Sequence, residues 1–366
     1  GLPWLISAAT QEMWLSANTA WSLCEILTTG AVELLEKFGT DGQKALYLEN
    51  LISGIWPGTM NLTEPGSGSD LGSLRCKAEP SGDHYKISGQ KIFITYGEHD
   101  MAENIIHFVL ARTPDAPEGS KGISLFIVPK FLVGPDGNLG ERNDLRCLSL
   151  EEKLGIHGSP TCVMSYGNNN GAIGFLVGQE NQGLAAMFTM MNNARLNIGI
   201  SGLAIAERSY QQARDYAKER MQFGAIINHP DVRRMLMLMK SQIEAMRAVT
   251  YDAALALDGA KRYSEESERL RAQARVDLLI PMVKGWCTDL GVEISSLALQ
   301  VHGGAGFITE TGIAQHYRDA RIAPIYEGTN GIQAIDLVGR KVLRDKGTAM
   351  TAFVDDARSV LKQART

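Results

Sequence analysis

Neither sign of charge dominates this sequence. Its 36 Lys and Arg against 41 Asp and Glu leave a formal net charge of −5, which gives no general attraction to phosphate backbones or anionic membrane surfaces. Long apolar runs are missing too. No stretch reaches the roughly 20 residues that a spanning helix needs, and the longest candidates, such as Leu278 to Val283, soon meet a charge. Cysteine is scarce, and Cys24, Cys76, Cys147, Cys162 and Cys287 form an odd set with no C-x-x-C pair. A disulfide framework and a structural zinc site are both poorly supported, and a reducing, cytoplasmic setting is expected. Seven histidines without a ligand-spaced cluster predict no catalytic metal. What remains is an ordinary globular composition, 44% hydrophobic and 21% charged, over a length that suits two or three packed units.

The order of textures is helices, then strands, then helices. From Ser7 to Phe38 apolar side chains recur at helical spacing, Trp14, Ala17, Trp21, Cys24 and Leu27 among them, and Gly39 stops the pattern. A second helix is expected from Asp41 to about Ser53. After Pro57-Gly58 the composition shifts to glycine, proline and β-branched residues, with strands read at 84–88, 91–95, 105–110 and 123–128 and turns at Ser88-Gly89-Gln90 and Pro135-Asp136-Gly137. An antiparallel barrel or sandwich is the expected object. Helical periodicity returns near Asn181, with long patterns at 184–220, 231–257 and 264–301 and shorter helices after Thr309, Gly331 and Thr348. Its methionine stripe (Met187, Met190, Met191, Met235, Met237, Met239) reads as core or helix interface.

Three segments concentrate glycine with polar groups. Thr63-Glu64-Pro65-Gly66-Ser67-Gly68-Ser69-Asp70 offers hydroxyls and approachable backbone, or simply a tight turn; it lacks the spacing and the strand–turn–helix setting of a Rossmann site. Gln300-Val301-His302-Gly303-Gly304 breaks a helix and frees main-chain groups, or merely ends the helix. Tyr326-Glu327-Gly328-Thr329 puts a carboxylate on a glycine-flanked loop between apolar stretches, where desolvation raises a pKa toward the range of a general base, or leaves it a solvated loop acid. His302 and His157 read as hydrogen-bonded structure rather than chemistry.

Taken in order, these segments with Gly89-Gln90-Lys91-Ile92-Phe93-Ile94-Thr95, Lys218-Glu219-Arg220-Met221-Gln222-Phe223-Gly224 and Arg318-Asp319-Ala320 resemble the acyl-CoA dehydrogenase family over about 38–343. The segments at 152–161 and 190–196 look more like a bacterial branch that includes 3-methylmercaptopropionyl-CoA and long-chain acyl-CoA dehydrogenases. The resemblance implies an α+β chain in three domains: partial N-terminal helices (1–56), a middle antiparallel β-barrel (57–178) and a C-terminal four-helix bundle (179–366). It implies FAD, an acyl-CoA substrate, a homodimer or homotetramer, and an electron-transfer flavoprotein as acceptor, in fatty-acid β-oxidation.

Position by position, it implies Leu62, Thr63 and Ser69 lining the flavin and the inner substrate channel, with Phe93, where many relatives carry tryptophan, and Thr95 against the isoalloxazine ring. Arg220 and Phe223 would reach a neighbouring subunit's FAD, Gln300 and Gly304 would help hold that end, and Thr329 would touch the cofactor. Glu327 would be the catalytic base that takes the α-proton while the β-hydrogen leaves as hydride to flavin N5, giving a trans-2-enoyl-CoA. Ser69 and Arg195 are the substrate-side candidates, and Arg195 is also a candidate organiser of the base loop. An acyl-CoA oxidase would share base and flavin. A flavin-bearing DNA-binding scaffold of the alkylation-response kind is disfavoured by the charge and by the lack of a Lys/Arg block near the C-terminus. Against the family pattern the first helical segment is short and the branch usually runs further, so the chain is expected to be a fragment.

Overall fold

The computed structural model describes residues 2–364. Helix α1 (Trp4–Ala17) and helix α2 (Thr19–Phe38) divide the long first pattern at Asn18, whose extended backbone ends one helix before the other begins. No glycine or proline marks that break, which is why periodicity alone runs through it. Helix α3 (Asp41–Ser53) starts on a reciprocal capping box between Thr40 and Gln43 and stops at Gly54 in the left-handed conformation.

Ten strands follow: β1 (Gly58–Asn61), β2 (Lys77–Ser81), β3 (His84–Thr95), β4 (Ile106–Ala111), β5 (Ser124–Pro129), β6 (Phe131–Val133), β7 (Leu139–Arg142), β8 (Leu145–Leu150), β9 (Thr161–Tyr166) and β10 (Ala172–Leu176). The main sheet runs β1-β4-β5-β10-β3-β9-β8, with β2 added onto β3 and a separate β6–β7 hairpin. Its ladders are antiparallel except for β1 against β4, which is parallel. The segment Ser88-Gly89-Gln90, expected as a turn, lies inside β3. Gly89 takes φ +142° there, and a Cβ at that position would come within 3.0 Å of the Cys76 backbone, so glycine here lets two strands approach rather than reverse. A register shift follows between Lys91 and Ile94.

The helices beyond the sheet are α4 (Gly183–Glu219), α5 (Pro230–Arg262), α6 (Glu266–Val301), α7 (Ile313–Ala320), α8 (Asn330–Ile335) and α9 (Thr348–Gln363), with a π-helical stretch at Asp336–Val342. The three long helices fall within a few residues of the spans expected from periodicity, apart from the end of α5, which runs on to Arg262.

The chain forms two compact units: one of residues up to Thr19, Leu154–Ile156 and 195 onward, the other of Ala20–Lys153 and His157–Ala194. In the strand-rich unit Leu34, Leu35, Tyr47 and Leu51 pack with Phe108, Leu110, Leu125, Ile127, Met187 and Met190 in one core. Five of the six methionines in the stripe are buried, with Met237 exposed. In the helical unit α1 is tied to α5: the Trp4 and Leu5 amides donate to the Asp258 carboxylate (2.8 and 3.0 Å), and Glu12 accepts from Arg247 and Tyr251. Among the described residues no helix is long and apolar enough to cross a membrane, and no group of three metal-ligating side chains forms.

Candidate active site

The loop leaving β1 is built by Glu64. Its backbone exchanges hydrogen bonds with Ser67 across Pro65-Gly66 (2.9 and 3.0 Å), so a tight turn is present as the composition suggested. Its carboxylate accepts the Arg75 and Cys76 amides (2.6 and 3.0 Å) and the Lys91 ammonium (2.8 Å), while Lys91 also donates to the Leu62 carbonyl at 3.0 Å. The Ile92 amide reaches the Thr63 carbonyl at 2.9 Å. These bonds bring Leu62 and Thr63 against the bulged part of β3, where Phe93 takes φ +60° and is 58% exposed. The hydroxyls of Thr63, Ser69 and Thr95 make no hydrogen bond within the protein among the described residues. Gly66 and Gly68 have open space where a Cβ would stand. Unengaged hydroxyls on this loop and strand, with an uncovered phenyl ring on the same strand, suit a planar heteroaromatic ligand with polar edges, so the residues present fit the flavin that the resemblance implies.

The helical unit gathers the other candidates in two places. At the end of α4, Arg220 and Phe223 are exposed, Phe223 at φ +51° with its whole side chain in solvent. The ends of α4 and α6 meet where Tyr216 stacks on His302 at 4.2 Å; Arg220 lies four residues beyond Tyr216, and exposed Gln300 and Gly304 lie two residues either side of His302. His302 is buried, with Nδ1 2.8 Å from the Ala298 carbonyl, a structural role. His157 is exposed.

Sixteen residues back along α6, about 24 Å at 1.5 Å per residue, lies the second cluster. Glu327 (φ +56°) and Gly328 (φ +85°) form a left-handed pair just before α8, and Thr329 caps that helix through its hydroxyl, accepting the Ile332 amide at 3.3 Å. Gln333, buried beneath, donates to the Glu327 and Gly328 carbonyls (3.3 and 3.2 Å). Arg195, buried in α4, pairs with Asp336 at 3.2 Å and lies beside Gly328. Lys284, also buried, donates to the Gly328 carbonyl at 2.7 Å.

Part of Glu327 stays open to solvent. Desolvation by its neighbours nevertheless pushes its carboxyl up to about 7, against the opposing pull of Arg195 and then Lys284. The open side tempers the size of that rise, not its direction. The Glu327 N–H has no acceptor among the described residues, which leaves a donor and a carboxylate on one residue.

Sequence reasoning did not find Lys284, Asn330, Gln333 or Asp336. The signal for Lys284 was present as the charge that ends the apolar run at Val283; Asn330 and Gln333 sit in a short helix whose buried face no pattern of six residues could reveal, and Asp336 opens the π-helical stretch that follows it.

Residues 59–168 match the family model for the acyl-CoA dehydrogenase middle domain, and residues 181–343 match that for the acyl-CoA dehydrogenase C-terminal domain. The chain is 54% identical to 3-methylmercaptopropionyl-CoA dehydrogenase of Ruegeria pomeroyi, over 97% of this chain and 62% of that protein. It is 38% identical to a butyryl-CoA dehydrogenase of Syntrophomonas wolfei, over 97% and 61%. The chain thus spans about three fifths of the length of these two relatives. An acyl-CoA dehydrogenase of Bacillus subtilis is 35% identical over 81% of this chain and 72% of its own length. Among solved structures, one described as the electron transferring flavoprotein of Acidaminococcus fermentans superposes with a TM-score of 0.77 at 28% identity, over 92% of this chain and 82% of that one. PigA with FAD and proline gives 0.78 at 26%, over 94% and 83%. Both domain models in order, with relatives matched along nearly the whole chain, show that this protein belongs to the acyl-CoA dehydrogenase family.

Proposed function

We propose that this protein is an FAD-dependent dehydrogenase that removes two hydrogens across the α,β-bond of an acyl-CoA thioester, with Glu327 as the base, giving a trans-2-enoyl-CoA. The observation that carries the reading is the state of Glu327: a carboxyl raised to about 7 on a left-handed loop, next to its own unengaged amide. An α-proton of a thioester leaves only if a base accepts it while a donor holds the developing enolate oxygen. Glu327 offers both groups. Bound FAD would supply the acceptor for the β-hydrogen, which departs as hydride.

Within the strand-rich unit, Thr63, Ser69 and Thr95 would hydrogen-bond the cofactor's polar edge and Phe93 would cover its ring. Leu62 packs partly into the core and would line the channel. Thr329 would touch the cofactor near the base, and Arg220, Phe223, Gln300 and Gly304 would hold the adenine-dinucleotide end contributed across a homo-oligomer. Ser69 and Arg195 are assigned to the substrate side, Arg195 acting through the base loop beneath which it lies. The three domains at 1–56, 57–178 and 179–366 are proposed with this reading. A PigA structure with FAD supports the cofactor, and a neighbour described as an electron transferring flavoprotein supports such a protein as acceptor.

Anaerobic mixing with a series of acyl-CoAs that includes butyryl-CoA and 3-methylmercaptopropionyl-CoA, while following flavin absorbance, tests cofactor, reaction and substrate class together. Bleaching by a saturated acyl-CoA and its loss in Glu327→Gln are expected. Full-rate bleaching in that variant would remove the base assignment. Stoichiometric peroxide under air would make the enzyme an oxidase.

A further inference from the structure

Among the described residues Lys284 is a buried cation without an ion pair. Its ammonium contacts neutral oxygens alone, the Gly328 carbonyl at 2.7 Å and the Asn330 amide oxygen at 2.9 Å. Asn330 is locked in turn to α6, donating to the Gly285 carbonyl (3.0 Å), the Thr288 hydroxyl (3.0 Å) and the Asp289 carboxylate (2.7 Å). Lys284 therefore grips the loop at the residue after Glu327 and again two residues later. That loop needs gripping, because Glu327 is a non-glycine residue held at φ +56°, a conformation that persists only where the surroundings over-determine it.

We infer that Lys284 is the positioning residue of the Glu327 loop: its two hydrogen bonds fix the backbone that carries the carboxylate, and its buried charge stabilises that carboxylate in the proton-accepting form. An uncompensated buried ammonium is costly. The carboxylates that favour its charge are Glu327 and Asp289, and Arg195 opposes it. Arg195 on α4 adds a second cation toward Glu327 and is itself countered by Asp336, with Arg340 following on the π-helical stretch. Burial lowers Lys284 to about 8 and raises Glu327 to about 7, so each group keeps its charge near neutral pH partly because the other is charged. An apolar side chain at 284 would leave the Gly328 carbonyl only its longer bond from Gln333 (3.2 Å) and remove that coupling in one step. A glutamine would keep an N–H for the carbonyl and remove only the charge.

The catalytic consequence rests on Glu327 being the base; the hold on the loop and the charge coupling do not. The test uses the full chain labelled with ¹³C-glutamate, with the Glu327 carboxyl identified by infrared difference against Glu327→Gln and titrated in wild type, Lys284→Met and Lys284→Gln. The midpoint is expected to rise by about one unit in both variants, because a nearby positive charge has gone. Flavin reduction by an acyl-CoA is expected to slow about ten- to a hundredfold in Lys284→Met, the scale of one lost charge-assisted hydrogen bond, and by less in Lys284→Gln. An unmoved carboxyl midpoint in the folded variants, whatever the rate, would overturn the inference; should Lys284→Met fail to fold, Lys284→Gln carries the same test. Wild-type flavin reduction in Glu327→Gln would remove the base assignment while leaving the infrared result to stand or fall alone.

Discussion

The Lys91 ammonium lies 2.8 Å from the Glu64 carboxylate with its side chain fully buried, and the same carboxylate accepts two backbone amides from the chain entering β2. Glu64 belongs to the loop that presents Thr63 and Ser69, and Lys91 belongs to the strand that presents Phe93 and Thr95. One ion pair therefore joins both halves of the proposed flavin cradle. Lys91→Met should leave a buried carboxylate without its cation and cost about 3 kcal/mol. Urea unfolding measures this; an unchanged midpoint would show that the two amides alone satisfy Glu64.

Glu327 links the proposed chemistry to stability. Its carboxyl is raised from 4.5 to about 7 in the folded chain, so between those values the folded state keeps a proton that the unfolded state has released. Its contribution to stability is then fully present below about pH 4.5 and lost as pH climbs through about 7. Glu327→Gln should remove that alkaline-going loss, and the wild-type-minus-variant difference in unfolding free energy should slope downward across the window. A flat difference would place the carboxyl at its ordinary value.

The helices were legible because their signals are local. Gly39 and the Thr40 capping box mark the start of α3 within two residues and Gly54 marks its end, and the apolar period of α4, α5 and α6 is long enough to survive Pro281 inside α6. The strands were less legible. Ser88-Gly89-Gln90 has the composition of a turn, and only the approach of Cys76, distant in sequence, makes it the middle of β3. The site divides the same way. Tyr326-Glu327-Gly328-Thr329 announces itself as a motif, whereas Lys284 acquires meaning from a carbonyl 44 residues later. Sequence pattern reaches along one element, and this contact joins two.

His107 offers a second pH signature of opposite sense. Its Nδ1 lies 2.7 Å from the Thr59 hydroxyl, within a buried network that continues through Asn61 to Tyr166. Burial pushes it down to about 3, so below its ordinary 6.5 the unfolded chain takes a proton that the folded chain refuses. The stability it contributes is present above pH 6.5 and is lost as pH falls toward 3. Replacing His107 with Gln should flatten the acid limb of the stability profile. An acid limb as steep as in wild type would assign the loss to other groups.

Two glycines of the helical unit should respond to the same substitution with opposite signs. Gly202 on α4 faces α6 so closely that a Cβ would stand 2.5 Å from the Cys287 carbonyl oxygen, and at Gly199 it would stand 2.4 Å from the Val283 side chain. A backbone carbonyl cannot swing aside as a side-chain tip does, so Gly202→Ala must push the two helices apart. Those helices carry Arg195 and Lys284, the two cations beside Glu327. Overpacking of this kind costs about 1–3 kcal/mol, more than the roughly 1 kcal/mol that alanine gains over glycine in a helix, so Gly202→Ala should destabilise and also slow flavin reduction. At Gly285, next to Lys284, a Cβ would meet only the Gln333 Cβ at 3.7 Å, an ordinary contact. There the helix-propensity gain is unopposed, and Gly285→Ala should stabilise by up to about 1 kcal/mol. Thermal unfolding of both variants checks the pair. Destabilisation of similar size at both positions would mean that α6 tolerates no added methyl in this stretch, and the close approach at Gly202 would no longer explain the loss.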